Sequence, residues 1–308
     1  MIARTGRVLD MPYPTSLALA VTLAAALSAC GATGESASGS ADSAGTLSVS
    51  AGFYPYEFVA ARVGGPDVQV TNLTKPGGEP HDLELTPRQV AALGETDLVV
   101  YARGFQPAVD EAVDQQAADR AFDVLTAVDL REGEAGQDGA DPHVWLDPVR
   151  LATIATAVAD QLAEQAPERA DGFRDRAEAL TTELEALDDE LRAGLATCER
   201  KQIVTSHDAF GYLAGAYGLE QVAIAGLSPD DEASPQRLAE VAGLAKDQGV
   251  TTIFFEELVS PKVAESLARE VGAQATVLSP LEGAPDEGDY VSAMRENLTT
   301  LRTALDCA

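Results

Sequence analysis

One long apolar stripe in the middle of the sequence constrains the fold most. Between residues 167 and 195, apolar side chains recur at alternating intervals of three and four, at Phe173, Ala177, Leu180, Leu184, Leu187 and Leu191. That spacing puts them on one face of a continuous helix, which would be roughly 40 Å long. A coiled-coil dimer would use the same stripe. Because sheet-forming sequence lies on both sides of it, we expect a helix that joins two lobes.

Short β-branched runs alternate with helical patterns on either side of the stripe. In the N-terminal half, strands are predicted near 47–50, 68–71, 97–101 and 122–126, with helices near 56–63, 87–93 and 107–116. In the C-terminal half, strands are predicted near 202–205, 221–225, 251–255 and 275–278, with helices near 210–217, 235–248, 261–271 and 290–305. This alternation is typical of parallel sheets covered by helices. The predicted fold is α/β, with two lobes of parallel β-sheet flanked by helices and joined by one long backbone helix.

The N-terminus has the order of a secretory signal peptide. Arg4 and Arg7 precede an apolar stretch at 17–27, and two small residues then lead to Cys30. A membrane-spanning helix needs about 20 apolar residues, more than this stretch supplies. Residues 1–29 are therefore predicted to be a signal peptide that is removed.

The run Leu-Ser-Ala-Cys at 27–30 resembles a bacterial lipobox, in which cleavage exposes the cysteine and its thiol is acylated. The alternative is a buried small residue in an uncleaved helix. Residues 30–45 are rich in Gly, Ser and Ala, which predicts a flexible tether. We therefore expect an exported protein held on the outer face of the cell membrane by a lipid on Cys30.

About 260 of the 308 residues follow the tether, enough for one large domain or two small ones. The net charge of −29 argues against nucleic acid and anionic lipid surfaces as partners, because both would repel the chain. Two cysteines remain, Cys198 and Cys307. In an exported protein a disulfide between them is the expected state. Two free thiols are the alternative, and zinc ligation by these cysteines is the least favoured of the three states.

The chain has only three histidines, at His81, His143 and His207. Each follows the carboxyl end of a predicted parallel strand, where open α/β sheets place their ligands. Taken singly, each is more often a surface or core residue than a metal ligand. A carboxylate that accepts the second ring N–H would orient a ligating imidazole, and Asp82, Asp147 and Asp208 are the candidates for that role by sequence proximity.

Three segments carry a family resemblance: Gly-Gly-Glu-Pro-His-Asp-Leu-Glu-Leu-Thr-Pro at 77–87, Asp-Pro-His-Val-Trp-Leu-Asp-Pro at 141–148 and Thr-Ser-His-Asp-Ala-Phe at 205–210. In this order they resemble the ligand motifs of the solute-binding lipoproteins of bacterial zinc and manganese ABC importers. The resemblance runs from about residue 46 to the C-terminus. Manganese members of this family typically have glutamate at the third position, where this chain has His207. The resemblance therefore favours zinc.

The resemblance implies a metal held between two lobes, with two ligands from each. The predicted divisions are an N-terminal metal-binding lobe at 46–166, a linking helix at 167–197 and a C-terminal metal-binding lobe at 198–308. The fourth ligand would be an acidic residue near the start of the last helix. Asp289 fits that position best, with Asp286 and Glu287 close enough to compete, and an ordinary helix N-cap is the alternative role for Asp289.

The sequence thus predicts an extracytoplasmic, monomeric, high-affinity receptor that is not an enzyme. It would carry one tightly bound Zn²⁺ to the membrane permease of an ABC importer. Three imidazoles with a carboxylate suit zinc, although a manganese or iron receptor of the same family remains open.

A zinc-dependent hydrolase is the alternative from another class, but the sequence has neither HExxH nor GxSxG. A lipid-anchored adhesin is the third reading. The acidic loop at 130–141 is expected to be an ordinary solvated loop, and the alternative is that its negative charge weakly attracts cations toward the site.

Overall fold

The computed structural model of the protein describes residues 45–131, 140–229 and 231–308. The predicted signal peptide, the lipid-attachment residue Cys30 and the tether up to residue 44 lie outside the described residues. Most of the acidic loop at 130–141 lies outside them as well. Within the described ranges, no helix combines the length and the apolarity needed to cross a bilayer.

The N-terminal lobe is built on a parallel sheet of four strands in the order β2-β1-β3-β4. The strands are β1 Leu47–Ala51, β2 Val68–Asn72, β3 Leu98–Tyr101 and β4 Ala121–Asp123. The helices are α1 Tyr54–Gly64, α2 Pro87–Leu93 and α3 Pro107–Gln116. Each helix has a proline in its first turn, where the missing N–H costs nothing. The predicted strand at 122–126 is wrong in its second half, which forms a 3₁₀ turn at Val124–Ala127.

Two helices, α4 Pro148–Gln165 and α5 Ala170–Leu195, connect the sheets. Helix α5 is the predicted long helix, and all six residues of its apolar stripe are buried. It packs against α4, against α1 of the first lobe and against the last helix of the second lobe. The stripe is thus used within one chain, which removes the basis for a coiled-coil dimer. No element was predicted at 148–165, where α4 buries Leu151, Ile154, Val158 and Leu162 on one face.

The C-terminal lobe repeats the sheet of the first lobe. Its parallel strands are β5 Gln202–Thr205, β6 Glu220–Ala223, β7 Thr252–Phe255 and β8 Gln274–Val277, in the order β6-β5-β7-β8. Its helices are α6 Gly211–Tyr217, α7 Pro235–Asp247, α8 Lys262–Val271 and α9 Tyr290–Leu305. All four strands and all four helices were predicted, with ends that differ by one or two residues. The fold class predicted from the sequence is confirmed.

A disulfide joins Cys198, just after α5, to Cys307 at the end of α9. The two cysteines are 109 residues apart, so the bridge closes the whole C-terminal lobe into a covalent loop. The predicted pairing is therefore present, and the alternative of two free thiols is wrong. One apolar cluster runs through both lobes and the connecting helices. The two sheets thus share a core, which fixes the carboxyl ends of their strands relative to one another.

Candidate metal centre

The structure brings all three histidines together with one carboxylate. His81, His143, His207 and Glu282 each offer one ligand atom, and these four atoms lie within 4.8 Å of one another. His81 lies in the loop between β2 and α2, His143 between β4 and α4, and His207 directly after β5. Glu282 lies in the loop between β8 and α9. Each lobe therefore contributes two residues from loops at the carboxyl ends of its strands.

The spacing of these four side chains matches one small cation. Oε1 of Glu282 lies 3.4 Å from Nε2 of His81, 3.7 Å from Nε2 of His143 and 3.5 Å from Nε2 of His207. Two corners of a tetrahedron with bonds of 2.0–2.1 Å to its centre lie about 3.3–3.4 Å apart. The observed separations are close to that value. All four ligand atoms lie within 4.8 Å of one another, so one ion between them would contact all four once the side chains close in around it.

The inner atoms of this cluster lack ordinary hydrogen bonds. Nε2 of His143, Nε2 of His207 and Oε2 of Glu282 are buried, and they have no hydrogen-bond partner in the described part of the chain. A buried polar atom without a partner costs the free energy of its desolvation. A bound cation would replace the missing interactions, because each Nε2 can present a lone pair and Glu282 presents negative charge.

Carboxylates behind two of the imidazoles set the direction of those lone pairs. Nδ1 of His143 lies 2.9 Å from Oδ1 of Asp141, and Nδ1 of His207 lies 2.7 Å from Oε1 of Glu256. When Nδ1–H donates to a carboxylate, the neutral ring carries its lone pair on Nε2, which faces the cluster. At His143 this is the tautomer that metal binding requires, and at His207 the same contact leaves Nε2 as the nitrogen that binds a cation once the ring is neutral.

The carboxylates predicted for this supporting role do different work. Asp82 is exposed, and its backbone N–H donates to Glu79. Asp147 caps α4 through the N–H of Val149 and forms an ion pair with Arg150. Asp208 is buried, but the carboxylate on Nδ1 of His207 is that of Glu256. The carboxylates that contact the ring nitrogens of His143 and His207 are instead those of Asp141 and Glu256.

His81 is held differently from the other two histidines. Its ring packs edge-on against Phe105, with the centroids 4.3 Å apart. Its backbone N–H donates to Oε1 of Glu79 at 3.2 Å. Its side chain is 8% exposed, whereas those of His143, His207 and Glu282 are fully buried. His81 is therefore the member of the cluster nearest to solvent.

The charges of the buried groups differ sharply between the lobes. Burial lowers the pKa of His143, and its contact with Asp141 only partly opposes this. Burial also disfavours the charged form of His207, but the adjacent carboxylates of Glu256 and Glu282 outweigh it and raise the pKa of His207 to about 10. Burial would raise the pKa of Glu282, yet its contacts with His207 and His81 hold that pKa well below its usual range. Without a cation, His207 is protonated and Glu282 ionised.

Asp289, the residue predicted as the fourth ligand, is not in the cluster. Its Oδ1 accepts the N–H of Ser292, and its own N–H donates to Oγ of Ser292, which closes a capping box at the start of α9. Its Oδ2 lies 3.8 Å from Arg62. The competing candidates Asp286 and Glu287 are exposed. The helix-cap alternative for Asp289 is thus the one that the structure shows.

Glu282 takes the place expected for Asp289, seven residues earlier in the same loop. The sequence contained a usable signal for it. The rule that selected the histidines, a ligand-type residue soon after the carboxyl end of a parallel strand, also selects Glu282 when it is applied to β8. The supporting residue Glu256 directly follows β7 in the same way.

Comparison with known proteins identifies the family. Residues 49–304 match the model of the ZnuA family, described as zinc-uptake complex component A periplasmic. The high-affinity zinc uptake system protein ZnuA of Bacillus subtilis is 37% identical over 303 residues, covering 91% of this chain and 93% of that protein. The zinc-binding protein AdcA of Streptococcus pyogenes is 35% identical over 294 residues, covering 86% of this chain. The chain spans only 57% of the length of that streptococcal relative.

Solved structures agree with this assignment. A mutant of the laminin-binding adhesin Lmb from Streptococcus agalactiae superposes with a TM-score of 0.79 at 33% identity, covering 84% of this chain and 99% of that one. The Zn(II)-bound ZnuA-like domain of Streptococcus pneumoniae AdcA superposes with a TM-score of 0.73 at 34% identity, covering 85% and 100%. With a family match over nearly all described residues, this chain belongs to the ZnuA family of periplasmic zinc-uptake components.

Proposed function

We propose that this protein is an extracytoplasmic receptor that binds one zinc ion with high affinity and delivers it to an ABC importer. One observation carries the proposal. Three imidazole rings and the carboxylate of Glu282 present ligand atoms within 4.8 Å of one another, and within the described ranges Nε2 of His143, Nε2 of His207 and Oε2 of Glu282 have no hydrogen-bond partner. The names of the relatives, a zinc uptake protein and a zinc-binding protein, support the same conclusion.

The donor set favours zinc over manganese or iron. Zinc accepts four-coordinate tetrahedral sites built from imidazole and carboxylate, whereas manganese prefers more ligands and mostly oxygen donors. The third histidine, His207, supplies nitrogen where a manganese receptor would typically supply oxygen. Copper and nickel also bind imidazole, and copper binds it more tightly. The donor set therefore excludes neither of them, and their access to the site depends on their availability outside the cell.

A transport site explains the four protein ligands better than a hydrolytic site. A catalytic zinc keeps one position open for a water molecule and uses three protein ligands. With His81, His143, His207 and Glu282 all engaged, a tetrahedral ion has no open position. The proposed receptor therefore has no enzymatic activity of its own.

We further propose that the mature protein is a monomer held at the membrane by a lipid on Cys30, with the permease of the importer as its partner. A similar protein of Streptococcus pneumoniae is named a zinc-binding lipoprotein, which supports the anchor. Cys30→Ser should shift the protein from the membrane fraction to the medium, and mass spectrometry should find the acyl chains only on the parent protein. A parent protein that carries no lipid would contradict the anchor.

An adhesin is the competing function, because three structural matches are laminin-binding proteins of streptococci. The two functions differ in their effect on the cell. Deleting a zinc receptor should slow growth in zinc-depleted medium, and added zinc should restore it. Deleting an adhesin without transport activity should leave zinc-limited growth unchanged.

The proposed metal site is tested by metal analysis of the purified protein after chelation and reloading. We expect one zinc per chain and a higher melting temperature with zinc, since a ligand that binds only the folded state stabilises it. His207→Ala should lose the zinc. Asp286→Ala serves as the control, because it removes an exposed carboxylate from the same loop as Glu282, and it should keep the zinc. A parent protein whose melting temperature does not respond to zinc would contradict the proposal.

A further inference from the structure

The carboxylate of the metal centre lies on a segment that has no regular structure to hold it. Glu282 belongs to the loop between β8 and α9. On one side this loop borders a cleft of about 620 Å³, lined by Ser279, Pro280 and Glu282 among others. The loop therefore has open space into which it can move. Its position must be fixed by specific contacts.

The backbone next to Glu282 is also strained. Leu281 is buried and has φ = 57°. A residue with a Cβ is uncommon in this left-handed region, because Cβ approaches the following carbonyl oxygen. Such a conformation persists only where the surroundings over-determine it. The contacts of this loop are therefore expected to be strong enough to impose it.

Part of the loop is held by its own lobe. Asn297 of α9 makes two hydrogen bonds with the backbone of Ser279. Its Oδ1 accepts the N–H at 3.0 Å, and its Nδ2 donates to the carbonyl at 2.7 Å. Oγ of Ser279 then accepts the N–H of Leu281 at 3.2 Å. These bonds fix the start of the loop, up to Leu281.

The opposite lobe supplies the next contact. Nε1 of Trp145 donates to the carbonyl of Pro280 at 2.7 Å, two residues before Glu282. Trp145 belongs to the first lobe and lies two residues after His143. In return, the hydroxyl of Tyr290 in the second lobe donates to the carbonyl of Trp145 at 2.6 Å. The residues next to His143 and next to Glu282 are thus joined across the lobes by hydrogen bonds.

The indole that makes this contact cannot easily turn away. Trp145 is fully buried. Its ring lies edge-on to Phe53 and Phe105, with centroids 4.7 and 5.2 Å away, and its centroid is 5.1 Å from that of His143. A rotation of the indole would disrupt these aromatic contacts. The N–H therefore points at Pro280 from a rigid base.

We propose that Trp145 is a cross-lobe positioning residue whose indole N–H sets the place of Glu282 through the carbonyl of Pro280. This inference rests on the proposed zinc site. Without the N–H, the buried carbonyl of Pro280 loses its donor and the strained loop can relax toward the cleft. A displacement of about 0.5 Å is enough to degrade a metal site. The indole thereby links the position of His143, in the half of the site that the first lobe supplies, to the position of Glu282 in the half that the second lobe supplies.

The chain contains a single tryptophan, so a tryptophan analogue supplied during expression changes this position alone. In β-(benzothiophen-3-yl)alanine, sulfur replaces the indole N–H while the bicyclic shape is kept. We expect about tenfold weaker zinc binding for this analogue, measured by competition with a chelating dye. The matched control, 5-fluorotryptophan, keeps the N–H and should leave the affinity unchanged.

A second measurement separates positioning from packing. In a Glu282→Ala background there is no carboxylate to place, so the sulfur analogue should cause no further loss of zinc affinity. A loss of the same size in both backgrounds would overturn the positioning role. A sulfur analogue that binds zinc as tightly as the parent protein would overturn it too, while leaving the zinc site intact. A parent protein that binds no zinc would overturn the proposed function and this inference together.

Discussion

The two lobes have sheets with the same strand order, yet only one of the two ligands in each lobe follows an equivalent strand. β4 and β8 occupy equivalent sheet positions, and the loops after them carry His143 and Glu282. β1 and β5 are also equivalent, but only β5 is followed by a ligand, His207. The residue at the same offset after β1 is Phe53, which is buried in the aromatic core. A shared topology therefore fixes where ligands can stand, and the side chains decide which positions are used.

The two half-sites also differ in charge. In the first lobe the pKa of His143 is lowered by burial, so its ring is neutral and ready to bind a cation. In the second lobe His207 lies between Glu256 and Glu282, which hold a proton on its ring. The first half-site is thus ready for a cation, whereas the second must release a proton before a cation can bind.

The second lobe differs again in being closed by a covalent bond. The disulfide of Cys198 and Cys307 joins its beginning to its end, and the first lobe has no cysteine at all between residues 46 and 166. Five experiments can break or sharpen the comparison of the lobes.

The largest effect is expected from removing the disulfide. The double variant Cys198→Ser, Cys307→Ser should lower the free energy of unfolding by about 4 kcal/mol, because the unfolded chain regains the entropy of a long open loop. Denaturant titration measures the loss. Hydrogen exchange should show more lost protection in β5–β8 than in β1–β4. Equal loss of protection in both lobes would mean that the disulfide does not act on the second lobe alone.

The next largest effect tests the equivalence of His143 and Glu282. Glu282→Ala removes one of the four proposed ligands and should weaken zinc binding by roughly 100-fold or more, about 3 kcal/mol. His143→Ala should cause a loss of similar size. Competition with a chelator of known affinity measures both. If Glu282→Ala binds zinc as the parent protein does, the second lobe supplies only one ligand.

The difference in charge predicts a pH dependence. Since the pKa of His207 is raised to about 10, zinc must displace about one proton near pH 7.5. The affinity should rise about tenfold per pH unit between roughly pH 6.5 and 8.5. Calorimetry in buffers of different ionisation enthalpy counts the proton. Release of no proton would contradict the charged second half-site, and Glu256→Gln should reduce the release because one carboxylate beside His207 is lost.

The metal-free protein should show the opposite trend with pH. A pKa of His207 raised from 6.5 to about 10 on folding stabilises the metal-free fold fully below about pH 6.5. That contribution is lost as the pH rises toward 10, the range in which zinc binding grows stronger. Thermal unfolding of the chelated protein at several pH values would reveal this loss.

The smallest effect concerns Asp289. Asp289→Ala removes the side-chain acceptor at the start of α9 and should lower the free energy of unfolding by about 1 kcal/mol. Zinc affinity should stay within about twofold of the parent value, because Asp289 lies outside the cluster. If Asp289→Ala greatly weakened zinc binding while Glu282→Ala did not, the fourth ligand would be Asp289, as the sequence predicts.

Local sequence signals predicted most of the secondary structure. Proline marked the starts of α2, α3 and α7, and the strands stood out as short β-branched runs. The α4 segment carries the same kind of apolar periodicity as α5, but no element is predicted there. Its alanine-rich sequence lies between a histidine motif and the long stripe, and Asp147 with Pro148 forms an ordinary helix start that would have marked it.

The sequence by itself determined the α/β class, the long helix and the three histidines, because each of these follows from periodicity or from position after a strand. Only the tertiary structure decided the rest of the site. Glu282, Glu256 and Trp145 are recognised by contacts with residues far away in the sequence, such as Pro280, which lies 135 residues from Trp145. Such contacts depend on how two lobes share one core, and local sequence patterns carry no information about that packing.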